Sequence, residues 1–195
     1  PPQVTMLSPS EGDEFFVGQE LTLRGSGIDS NGSTGLELYW EVRLHRGEHY
    51  QPFLVRTRGN DITLLPAPEP ENFLNAADSY LEVLLTAVDK DGLSSAMISR
   101  IIKPMLVNFA IDSIPQGLEV MVDEFPIVTP QTIISWQNHE LHVNAYDQLP
   151  FEFEAWSNGN ERKHSIVLLP QDGNNAPSLI VFFQKVVEEI LLVPE

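Results

Sequence analysis

Apolar and polar residues alternate with a period of two through most of this chain, in short runs separated by turn residues, which is the pattern of half-buried strands. The clearest run covers 36–44, where Leu36, Leu38, Trp40, Val42 and Leu44 share one face and Glu37, Glu41 and Arg43 the other. Residues 81–88 repeat it with Leu81, Val83, Leu85 and Ala87. The same reading predicts strands over 4–7, 20–25, 53–58, 61–65 and 95–102. Together these make the strand inventory of an immunoglobulin-type sandwich. Pro66, Pro68 and Pro70 exclude a strand between them. The stretch 70–78, PENFLNAAD, is read as one helical turn crossing from one sheet to the other before Tyr80.

Lys103-Pro104 interrupts pairing and the alternation restarts after it, so two units are expected, 1–104 and 105–195. In the second, strands are predicted over 106–111, 118–122, 132–135, 140–145, 151–155, 163–168 and 178–185. Pro115-Gln116-Gly117, Asn158-Gly159 and Asp172-Gly173 punctuate them, with Asn-Gly the usual choice for a tight hairpin. The tail 186–192 is read as a last strand docked on the body. The expected fold class is therefore all-β: two tandem antiparallel β-sandwich-like domains.

Composition narrows the partners. The 28 acidic and 11 basic residues of this 195-residue chain give a formal charge of −17, which repels phosphate backbones and anionic lipid, so nucleic acid is not an expected partner. Cysteine is absent, which removes disulfides, thiolate metal sites and thiol nucleophiles. No apolar stretch approaches the roughly 20 residues that span a bilayer, and no membrane insertion is expected. The opening Pro1-Pro2 reads as a fragment of a longer precursor.

Residues 8–29 (SPSEGDEFFVGQELTLRGSGID), the run LELYWEVRLHRGEHYQPF over 36–53 and YLEVLLTAVDKDGLSS over 80–95 resemble a PKD-like domain. More narrowly they resemble the module appended to secreted glucose/sorbosone dehydrogenases, in which a strand tryptophan is followed by a histidine-rich stretch ending in proline, here His45, His49 and Pro52. Arg46-Gly47-Glu48 and Tyr50-Gln51 depart from that stretch. In the second unit, IDSIPQGLEVMVD over 111–123 with Thr129-Pro130, and FEFEAWSNGN over 151–160, are similar to hairpins of small bacterial surface β-domains. The resemblance implies a secreted or cell-surface location. The quinone-binding propeller of those enzymes lies outside this sequence, and no quinone site carries over.

Three constellations could carry chemistry. His45, Glu48 and His49 have the side-chain types of a metal site, although they leave a strand through a glycine turn where four-residue spacing does not converge. Asp29, Asn31, Asp89 and Asp91 sit in loops that a sandwich brings to one end, and their oxygens suit calcium; turn chemistry alone also explains them. Trp136, Tyr50 and Phe53 are the aromatics expected to reach solvent and stack on a sugar ring, whereas Trp40 is expected in the core and Trp156 preferentially so. No Gly-x-Ser-x-Gly elbow, phosphate-cradling glycine loop or His-Glu-x-x-His occurs. The expectation is thus a non-catalytic accessory module, scaffolding or contacting a glycan or neighbouring protein domains, with no cofactor unless calcium binds. Two other readings stand beside it: a structural repeat of an extracellular filament or adhesin with calcium-stiffened loops, and the C-terminal part of a quinone-dependent sugar dehydrogenase.

Overall fold

Inward-facing aliphatic side chains at every second position dictate two layers of sheet in the first unit. The structure, a computed structural model, describes residues 1–64, 66–170 and 176–186. The chain is all-β, its described sheets mostly antiparallel and sandwich-like. It divides into one unit of Pro1–Leu106 with Trp136–Asn138, and a second of Val107–Ser135 with His139–Glu195.

In the first unit, β1 (Gln3–Ser8), β3 (Leu21–Ile28) and β6 (Ile62–Leu64) form a three-stranded sheet in the order β1-β3-β6. Facing it, β2 (Glu14–Phe15), β4 (Glu37–Arg46), β5 (His49–Arg58), β7 (Ser79–Val88) and β8 (Ile98–Pro104) make a five-stranded sheet ordered β2-β8-β7-β4-β5. Among the described pairings of this unit only β2 with β8 runs parallel. The helical turn expected over 70–78 is a short 3-10 segment at Ala76–Asp78, on the passage from β6 to β7 and thus between the sheets.

Trp40, Val42, Leu81, Val83, Leu85 and Ala87 are fully buried between the layers. Trp40 is a core residue, and its indole Nε1 donates to Gly59 O at 3.0 Å. Its bulk fits because β3 carries glycine opposite: a β-carbon on Gly25 would stand 2.8 Å from Leu85 Cδ2 and 3.1 Å from Trp40 Cζ2. Asn60 grips the Gly25 backbone from the side, accepting from its N–H at 2.8 Å and donating to its carbonyl at 3.0 Å.

The second unit pairs β10 (Glu119–Val122), β11 (Phe125–Val128), β13 (Glu140–Asn144) and β15 (Lys163–Val167) in the order β11-β10-β13-β15. The other sheet is β12-β9-β16-β14, from β12 (Gln131–Trp136), β9 (Leu106–Ile114), β16 (Ser178–Lys185) and β14 (Phe151–Trp156). Trp156 is buried, with Nε1 donating to Arg162 O at 3.0 Å. Strands β14 and β15 lie in different sheets, so Asn158-Gly159 turns the chain between layers and closes no tight hairpin. The tight hairpin of this unit is β10–β11, whose loop is Asp123-Glu124, both at positive φ. The expected turn at Asp172-Gly173, and the expected tail strand beyond Val186, lie outside the described residues. Among the described residues no helix is long and apolar enough to cross a membrane.

Candidate functional site: the outward face of the five-stranded sheet

A two-residue loop sets the register of this face. Gly47 sits at positive φ in the first loop position between β4 and β5, and pairs Arg46 with His49 and His45 with Tyr50. Strand β7 completes the row, because His45 also pairs with Tyr80. Tyr50, His45 and Tyr80 therefore stand side by side across three strands, on the face opposite the core. The His45 ring stacks on Tyr80 with centroids 4.7 Å apart and planes 6° apart, and lies 5.4 Å from the Tyr50 ring.

The next row is ionic. Arg43 pairs with Glu82 across β4 and β7, and its guanidinium reaches diagonally to lie 4.6 Å from the Tyr50 ring centroid. Glu41 Oε1 accepts from Arg43 Nε at 2.6 Å, which pushes the arginine further above its usual range. Glu82 Oε2 lies 2.9 Å from His45 Nε2, joining the rows. The same diagonal recurs where Arg56 sits 4.5 Å over Tyr39. Tyr39 donates to Glu37 Oε2 at 2.9 Å, and that bond raises its phenol above the ordinary value. Tyr50 keeps half of its surface, 52%, in solvent. A flat, half-exposed ring is thus clamped by a cation and a histidine, with carboxylates close by.

The expected site residues separate in this frame. His45 and His49 belong to adjacent registers of the hairpin, so they project from opposite faces of the sheet, and the loop residue Glu48 cannot bridge them. The metal reading of His45, Glu48 and His49 is corrected on that ground. Asp29 and Asp89 are buried and serve their own loops. Asp29 Oδ1 accepts from Ser30 N at 2.6 Å, and Asp89 Oδ1 accepts from Asp91 N and Leu93 N, each at 2.9 Å. The two loops are built alike: Gly32 N donates to Asp29 O and Gly92 N to Asp89 O, each glycine at positive φ, while Asn31 and Asp91 point to solvent. Among the described residues no group of three or more His, Cys, Asp or Glu side chains is placed to hold a metal ion. The calcium reading of Asp29, Asn31, Asp89 and Asp91 gives way to turn chemistry.

Trp136, expected at the surface, is 0% exposed. It belongs to the first unit, where its ring meets Phe15 edge-on at 5.2 Å and its Nε1 donates to Ala76 O at 2.7 Å. Val17 N donates to Gln137 O and Gln137 N to Met105 O, holding the segment in place. Polar neighbours in sequence concealed this burial. Phe53 is half-buried against the core on the inner side of the hairpin, so of the three expected stacking aromatics Tyr50 alone lies on the outward face.

No family model, curated protein or solved structure matches this chain. The site is therefore read from its own geometry.

Sequence reasoning missed Tyr80, Glu82 and Tyr39 as members of this face. A signal was available, since Glu37, Tyr39, Glu41, Arg43 and His45 occupy every second position opposite the tryptophan face.

Proposed function

We propose that this chain is a non-catalytic accessory module of a larger secreted or cell-surface protein, and that it contacts a glycan through the outward face around Tyr50. One observation carries the reading: a half-exposed tyrosine ring held between Arg43 and His45. Sugar rings present apolar C–H faces that stack on aromatics and hydroxyl edges that need planar donors and acceptors. Tyr50 supplies the first; Arg43, Glu41 and Glu82 supply the second. Clamping also lowers the cost of binding, because the ring loses little freedom when a ligand arrives. The strand orders β1-β3-β6 and β2-β8-β7-β4-β5 support an immunoglobulin-type or PKD-like sandwich, whose broad sheet offers such a face.

Affinity electrophoresis in native gels cast with different soluble polysaccharides tests the proposal. The expected result is retardation by at least one of them. Equal mobility in every gel would end the glycan reading.

A further inference from the structure

The inner side of the β4–β5 hairpin carries a second surface, separate from the Tyr50 row. Leu44, Arg46, Gln51 and Phe53 line it, and Pro68 and Glu69 of the proline-rich segment form the opposite wall. That segment is anchored by Ala67, whose N–H donates to Gln19 O at 2.8 Å and whose carbonyl accepts from Gly18 N at 3.0 Å. The space between is a cleft of about 720 Å³. Small-molecule sites usually enclose about 300–1,000 Å³.

The lining selects a class of ligand. Phe53 and Leu44 on one wall and Pro68 on the other are apolar, and Arg46, Gln51 and Glu69 offer donors and acceptors beside them. Arg46 is bonded through Nη1 to Glu71, so its charge is already compensated. Its buried Nε has no hydrogen-bond partner among the described residues. An anionic ligand would meet the Glu69 carboxylate, and a pure hydrocarbon would strip water from the partly buried Arg46 side chain. A ring with one apolar face and a hydroxyl edge avoids both penalties. We infer that the cleft takes one neutral hexose unit, with Phe53 against the ring face and Arg46, Gln51 and Glu69 at its hydroxyls. This rests on the glycan reading above and adds a second contact on the reverse of the same hairpin.

Saturation-transfer NMR on the whole chain with methyl glucoside, methyl galactoside and methyl mannoside tests it. Transfer to the ring protons of at least one of the three is expected. It should vanish in Thr63→Trp, where an exposed residue lining the cleft fills it without removing any core side chain, and in Phe53→Ala. It should persist in Tyr50→Ala. Transfer that survives Thr63→Trp, or that is lost in Tyr50→Ala while Thr63→Trp keeps it, overturns the cleft. Absence of transfer to all three glycosides, with polysaccharide retardation intact, also overturns the cleft and leaves the outward-face reading standing.

Discussion

The Arg43 guanidinium lies 4.6 Å from the centroid of the Tyr50 ring, across a diagonal of the β4–β5 hairpin, while its Nε is held by Glu41. An exposed cation–π contact contributes about 0.5–1 kcal/mol and fixes both side chains. Arg43→Met keeps the aliphatic stem and removes the charge. The expected result is a stability loss of about that size in urea titrations, together with weaker polysaccharide retardation, because Tyr50 is no longer clamped.

Trp136 is a structural residue of the first unit, with no part in the outward face. Trp136→Phe keeps an aromatic ring against Phe15 but removes one of the two donors to the Ala76 carbonyl, which keeps the Ser79 N–H. Losing one hydrogen bond to a carbonyl that keeps another costs about 0.5–1.5 kcal/mol, which denaturant midpoints would register. Retardation by polysaccharide, measured well below the melting temperature, should be unchanged.

Glu124 occupies the second position of the Asp123-Glu124 loop with φ at 68°, a region that glycine enters without a β-carbon penalty. Asp123 is tied in, its Oδ1 accepting from His142 N at 2.8 Å, while Glu124 is exposed. Glu124→Gly relieves the strain at the cost of a more flexible unfolded chain, and a net gain of about 0.5–1 kcal/mol is expected. Thermal unfolding of the two proteins side by side checks the sign.

Asp147 accepts from Arg162 and from Phe153 N, and these bonds, the arginine's first, hold its carboxyl below the usual aspartate range. A pKa lowered on folding stabilises the native state above the unfolded pKa, and the contribution disappears as pH falls through the lowered folded value. Asp147→Asn should therefore melt below wild type at neutral pH. The difference should close in strong acid, and a gap that stays constant with pH would contradict the assignment.

Most strands were legible in the sequence because inward positions are mainly apolar and outward ones mainly polar, as in the run from Leu36 to Leu44. Strands β2 and β11 were not, since Glu14–Phe15 is too short for a period and Phe125–Val128 carries a proline. The aromatic face was half legible. Alternation put Arg43 and His45 together, but their meeting with Tyr50 depends on the two-residue loop at Gly47, and with Tyr80 on a strand more than thirty residues on. Trp136 misled because burial depends on what covers a side chain. Its cover is Phe15 and Ala76, both far away in sequence.

The most direct measurement is affinity electrophoresis of wild type beside Tyr50→Ala, with melting temperatures recorded for both. Tyr50 is a surface residue, so its removal should change stability by no more than about 0.5–1 kcal/mol. The expected result is retardation of wild type by at least one polysaccharide and a marked fall in that retardation in the variant, with folding intact. Retardation of Tyr50→Ala equal to wild type would contradict the assignment of the outward face as the contact surface.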